Sequence, residues 1–277
     1  MGVRLGYADL VLLLNAIYYL PCVFLPVCIN ALRHNGAGLR LGPVSFGQML
    51  MCMVLAYLCV MLANAVGGLW SILLETAGLQ LYGADVELDN SAELIKGIFA
   101  MAVLPGICEE LLFRGTVLTA YERGGTRRAL IVSTLLFASL HGSLQGLPVQ
   151  LIIGVVLGCV ACFTGSIYAA MMVHTAYNAF ILLISYMTPD TAAASGTLYS
   201  QIGGMYGVGV LIVEAVVMIL LIRLVLKSFA RKGMESGIVF APEAKTGMDL
   251  SETAVLISGI VTVCYMYIED IVLLTGH

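Results

Sequence analysis

"ICEELLFRG", residues 107–115, breaks a long apolar run with two carboxylates and a guanidinium. Glu109, Glu110 and Arg114 stand among Leu, Ile, Val and Ala, in a stretch apolar enough to be a membrane helix. Insertion scales charge about 2.5–3.5 kcal/mol for each such group at mid-helix. A chain under no functional demand is expected to lack them. The run therefore points to a membrane helix, and its charges point to a site on that helix.

The rest of the chain agrees with a membrane class. Of its 277 residues 60% are hydrophobic and 11% charged, with a mean hydropathy of +1.00; soluble domains carry about 25% charged residues. The expected fold is all-α, a polytopic transmembrane helical bundle of about eight spans in one membrane domain, 1–277. The spans fall near 8–32, 46–74, 94–120, 129–146, 148–165, 167–187, 205–227 and 251–274. Apolar runs of about 20 residues suit a hydrocarbon core of about 30 Å, and the alternation of a transmembrane barrel is not seen. A net charge of −4 argues against nucleic acid as a partner.

Charge alternates between the loops. Arg33, Arg40, Arg123, Arg127, Arg128, Arg223, Lys227, Arg231, Lys232 and Lys245 fall on one side. Glu75, Asp85, Glu87, Asp89, Glu93 and Asp190 fall on the other. Basic loops face the cytoplasm, so both termini are expected on the opposite face. Residues 228–250 read as a cytoplasmic loop. The eight cysteines lie in apolar stretches, so Cys159-x-x-Cys162 reads as helix packing rather than a redox or metal motif. Gly154-x-x-x-Gly158 reads as a close helix contact. Gly6 stands where a myristoylation signal needs Ser or Thr, and the first apolar run reads as a retained helix.

Three spans carry the chemistry. Glu110 and Arg114 are four apart and share a helix face, so they can pair. Glu109 is turned by about 100° from Glu110 and is left for another task. Pro105 precedes Glu109 by four and is expected to bend the helix and open space beside it. Phe137 and His141 share a face of the next span, and His174 and Asn178 share a face two spans on. His34 and His277 lie outside the spans. In low dielectric a carboxylate is a usable general base near neutral pH. Glu109 can take a proton from a water that His141 holds, and His174 with Asn178 can stabilise an oxyanion. Glu109, His141 and His174 also make a one-Glu, two-His set of the kind catalytic zinc uses. The residues leave metal-bound and carboxylate-activated water both open, so the cofactor is zinc or none.

E-E-x-x-x-R, F-x-x-x-H and H-x-x-x-N, in this order on separate spans, resemble the CAAX-protease and bacteriocin-processing family of intramembrane endopeptidases. That family includes the type II CAAX prenyl endopeptidases. The resemblance covers about residues 95–185. It implies an eight-helix fold with a site inside the bilayer, reached from the cytoplasmic side. It implies water activation by Glu109 and His141, and an oxyanion hole from His174 and Asn178. Glu110, Arg114 and Phe137 are supporting. The expected substrate is a membrane-associated or lipidated protein or peptide. The chain is placed in the lipid bilayer of a prokaryotic plasma membrane with its basic loops cytoplasmic. The alternatives are a non-proteolytic scaffold or bacteriocin-immunity protein on the same fold, and a proton-coupled carrier using Glu214, Glu269 and Asp270. The last two are expected near a helix end, within reach of interfacial water.

Overall fold

Ser45 starts the first long helix. Its hydroxyl accepts from the Gln48 N–H while the Gln48 side chain accepts from the Ser45 N–H, a reciprocal cap. The computed structural model describes residues 7–19, 39–81, 88–188, 198–238 and 267–275, with the isolated positions 23, 24, 27, 28, 32 and 264. In chain order the helices are α1 (Tyr7–Tyr19), α2 (Phe46–Thr76), α3 (Ser91–Gly124), α4 (Thr126–Leu140), α5 (Leu147–Thr164), α6 (Ile167–Met187) and α7 (Met205–Glu235). A single turn, Leu198–Gln201, precedes α7. Among the described residues there is no strand; Leu41 and Ser166 form one isolated bridge.

The fold is an all-α membrane bundle. Five described helices, α2, α3, α5, α6 and α7, are long and apolar enough to cross a bilayer. α4 departs from expectation. It has 15 residues, about 22 Å at 1.5 Å per residue, and stops at Leu140 rather than near 146. Gly142, at φ +55°, turns the chain there. The first expected span is helical to Tyr19, and the last is described from 267 with Cys264 alone before it. α7 runs to Glu235, so the first third of the expected 228–250 loop is helix. Close packing carries it on: a Cβ on Gly233 would come within 2.1 Å of the Phe163 carbonyl oxygen. Arg4, Cys22, Arg33, His34, Asp85, Glu87, Asp190, Lys245 and His277 lie outside the described residues.

α2 packs against α6 and α7, and α4 against α5. Leu55, Cys59, Leu157, Val160 and Val173 are buried in the common core. The small residues of α5 do what their spacing promised. A Cβ on Gly158 would approach Leu130 Cδ1 to 2.3 Å, and one on Gly154 would meet Thr134 Cγ2 at 3.0 Å. Side chains of α4 thus lie directly on the α5 backbone, with Phe137 Cδ1 3.2 Å from where a Gly154 Cβ would stand.

Candidate active site

Pro105 shapes α3 locally. It has no N–H, so the Met101 carbonyl, four residues back, lacks its α-helical donor. The helix widens over Phe99–Val103, where the Leu104 N–H reaches the Phe99 carbonyl five residues back. Side chains from two other helices satisfy the freed carbonyls. Asn15 Nδ2 of α1 donates to the Ala100 oxygen at 2.7 Å, and Asn178 Nδ2 of α6 to the Met101 oxygen at 3.2 Å. A second widened turn, Leu111–Val117, follows the two glutamates. Ser133 of α4 donates to the Phe113 oxygen there at 2.9 Å. Such widened turns collect at functional sites. The proline's effect on α3 is the widened turn before Glu109 and Glu110.

The expected pairing is present and extended. Arg114 Nη1 donates to Glu110 Oε1 at 2.8 Å, with both side chains fully buried. The other end of the guanidinium donates to the Gly154 carbonyl at 2.9 Å and lies 4.5 Å over the Phe137 ring. Glu110 Oε1 also accepts from His174 Nδ1 at 2.9 Å. This triad crosses from α3 to α6, and Gly106 permits the crossing: a Cβ there would fall 2.3 Å from Thr175 Oγ1. Glu110 therefore has a role that spacing alone did not show. It anchors His174 as well as Arg114.

Glu109 turns away from that pair, as the helix geometry required. Its Oε1 accepts from the Tyr19 hydroxyl at 2.8 Å, and its Oε2 is buried without a hydrogen-bond partner among the described residues. Tyr19 is seated by a small cluster in which it and Val23 and Val27 pack on Leu104, Cys108 and Leu111. No feature of the first apolar run marks this tyrosine; its partner is 90 residues away.

His141 sits at the end of α4. Its Nδ1 lies 2.9 Å from the Phe137 carbonyl oxygen. A carbonyl only accepts, so Nδ1 carries the proton and, in neutral imidazole, Nε2 keeps its lone pair. The Phe137 ring stands between the two histidines, 4.9 Å from His141 and 5.7 Å from His174 centroid to centroid. The turn after His141 is held on both sides. Trp70 Nε1 of α2 donates to the Leu144 carbonyl at 2.8 Å, and the Leu144 N–H donates to the Asp270 carboxylate. Asp270 is buried, so it braces a turn instead of reaching interfacial water. Its signal in sequence was a carboxylate in an apolar stretch. Its partner was not legible.

Glu109, Phe137, His141, His174 and Asn178 all line one cavity of about 1070 Å³. Glu110 and Arg114 stand behind its wall. Tyr177 also lines it, whereas Met171 and Met172 do not. The lining extends beyond the expected third to sixth spans, to Val11 and Asn15 of α1 and Asn64 and Ser71 of α2. α7, with Glu214, adds nothing to it. Among the described residues no three His, Cys, Asp or Glu side chains are grouped as metal ligands. Nδ1 of each histidine is turned to a protein acceptor, and Glu109 Oε1 is taken by Tyr19. That leaves Nε2 of both histidines and Glu109 Oε2 as free donors, the orientation in which histidines ligate a metal, although the three are not gathered around one point.

Comparison with known proteins adds one match. Residues 91–180 match the family model described as type II CAAX prenyl endopeptidase Rce1-like. The matched segment holds all seven motif residues and none of Asn15, Tyr19, Trp70 or Asp270. Searches of curated proteins and of solved structures gave no match. The resemblance carried by the three short motifs thus falls on the stretch that builds the site: residues 91–180 of this integral membrane protein are similar to the Rce1-like type II CAAX prenyl endopeptidases, a family of intramembrane endopeptidases.

Proposed function

We propose that the protein hydrolyses a peptide bond of a membrane-associated or lipidated protein or peptide, using water activated by Glu109 and His141. The observation that carries this is the meeting of Glu109, His141, His174 and Asn178, from three helices, on one cavity. Water in that cavity donates one hydrogen to the Glu109 carboxylate and the other to His141 Nε2. Its oxygen attacks the scissile carbonyl carbon as Glu109 takes the proton. The oxyanion receives the second Nδ2 hydrogen of Asn178, the first being held by the Met101 carbonyl. His174, held by the Glu110 carboxylate at 2.9 Å through Nδ1, stands with Asn178 on the oxyanion side of the cavity. Glu109 then passes its proton to the leaving amine, and the C–N bond breaks.

The test is cleavage of a peptide library by purified protein in detergent, with and without chelator. Cleavage that chelator leaves unchanged supports carboxylate-activated water. Sensitivity to chelator, reversed by zinc, would mean that Glu109 and the histidines regroup around a metal. His141→Ala is expected to slow cleavage by about 10²-fold at unchanged folded yield, and an unaffected rate would remove His141 from the mechanism. Tyr19→Phe leaves Glu109 Oε1 without its donor, a loss of about 1–3 kcal/mol. Tyr19 orients the base and is placed to touch Glu109, so kcat is expected to fall about tenfold with KM unchanged. A change in KM alone would give Tyr19 a binding role instead.

A further inference from the structure

His141 stands where α4 ends. Its N–H turns back to the Ala138 carbonyl at 3.3 Å, three residues back rather than four, so the last turn is tightened. The Phe137 carbonyl, which that N–H would reach in a continuing α-helix, accepts from the His141 ring instead. Beyond Gly142, at φ +55°, no helical ladder holds the chain until α5 begins at Leu147. His141 is exposed, and its ring has only this one hydrogen bond, to its own helix, among the described residues. That bond fixes which ring nitrogen points away from Phe137. It does not fix where the end of α4 lies in the cavity.

Two side chains from outside α4 hold the segment that follows it. Leu144, three residues after His141, is gripped at both of its peptide groups. Trp70 Nε1 of α2 donates to its carbonyl at 2.8 Å, and its N–H donates to the Asp270 carboxylate. Asp270 is buried, and a carboxylate is a stronger acceptor for an N–H than a neutral oxygen. The two holders are themselves joined. The Gln80 N–H, just past the end of α2, donates at 2.7 Å to the carbonyl of Leu274, one helical turn on from Asp270, and Leu274 is fully buried. Within the held turn the Gly146 N–H donates to Ser143 Oγ at 3.1 Å. Ser143, Gln145 and Gly146 line the same cavity as His141, whereas Trp70 and Asp270 do not. The turn is part of the cavity wall, and its holders stand behind it. We propose that Trp70 and Asp270 are positioning residues for the hydrolysis: by clamping Leu144 they set the distance from His141 Nε2 to the water it holds. Their part in hydrolysis rests on the proposed function; their hold on the turn does not.

Two measurements on the full chain test the clamp. For a peptide that the wild type cleaves, Asp270→Ala is expected to lower kcat by about 10–10²-fold, with KM unchanged. Asp270→Asn keeps an acceptor oxygen for the Leu144 N–H and is expected to restore part of the rate. In a His141→Ala chain, Asp270→Ala is expected to slow cleavage no further, because residues that act as a unit are not additive. An equal loss in both backgrounds, or a loss confined to KM, would overturn the proposal. Trp70→Phe removes the N–H and keeps an aromatic ring, and it runs the same cycle should Asp270→Ala not fold. Trp70 is the only tryptophan of the chain, so its emission reads the clamp without any substrate. The emission maximum is expected to move in Asp270→Ala and to stay in Glu109→Gln. An unmoved maximum in Asp270→Ala would show that the turn does not depend on Asp270, and would overturn the proposal as well. A moved maximum in a protein that cleaves nothing would leave the clamp standing and remove the hydrolytic reading. Cleavage at the wild-type rate in Asp270→Ala would do the opposite.

Discussion

Glu109→Gln is expected to lower the rate of peptide cleavage by about 10²–10⁴-fold, the range of general acid–base catalysis, at unchanged melting temperature and elution profile. The substitution is nearly isosteric. The Tyr19 hydroxyl, 2.8 Å from Oε1, can donate to an amide oxygen as it does to the carboxylate. What changes is Oε2, buried and without a hydrogen-bond partner among the described residues. An amide nitrogen in its place donates hydrogens and cannot accept the proton of water. Because Glu109 has no cationic partner on its own helix, neutralising it strands no charge, and the fold is expected to survive. Wild-type rates in Glu109→Gln would show that the proton goes elsewhere. Loss of both activity and fold would instead call for Glu109→Asp, which keeps a carboxylate and is expected to retain part of the rate.

Arg114→Ala is expected to act on the fold first. Arg114, Glu110 and His174 form a buried unit, with the arginine and the glutamate fully enclosed. Removing the guanidinium leaves the Glu110 carboxylate with His174 alone, strips the Gly154 carbonyl of its donor, and empties the space over Phe137. Breaking a buried pair in this way costs about 3–5 kcal/mol, a large part of a stability of about 5–15 kcal/mol. The measurements are the yield of monodisperse protein and its thermal melt, both expected to fall steeply. Glu110→Gln combined with Arg114→Ala removes the stranded charge and is expected to recover part of the yield. Normal yield and full activity in Arg114→Ala alone would sink the pairing argument.

The two substitutions separate what the EELLFR stretch combines. Glu109 and Glu110 are adjacent, yet one faces the cavity with only a tyrosine for company and the other is locked behind the wall. That division was legible because it is local. Four residues bring Glu110 and Arg114 onto one helix face, and one residue turns Glu109 off it. The membrane class was legible for a similar reason, since apolar runs about 20 residues long need no tertiary information. The Gly154–Gly158 contact was also legible, because small residues at that spacing leave room for a neighbour whatever the neighbour is.

Other features depended on how the helices cross. Glu110 meets His174 only because Gly106 lets α3 approach α6 beside Thr175. The widened turn before Pro105 depends on Asn15 and Asn178 arriving from α1 and α6 to satisfy the freed carbonyls. α4 stops at Leu140, short of its expected end, where Gly142 turns and where Trp70 and Asp270 bracket Leu144. Tyr19 and Glu109 are 90 residues apart, and no periodicity connects them. By itself the sequence determined the membrane bundle, the three polar motifs and the separation of the two glutamates, because each follows from periodicity among near neighbours. Only the tertiary structure decided which groups hold those motifs and which residues complete their cavity, because those depend on contacts between distant segments that local spacing does not encode.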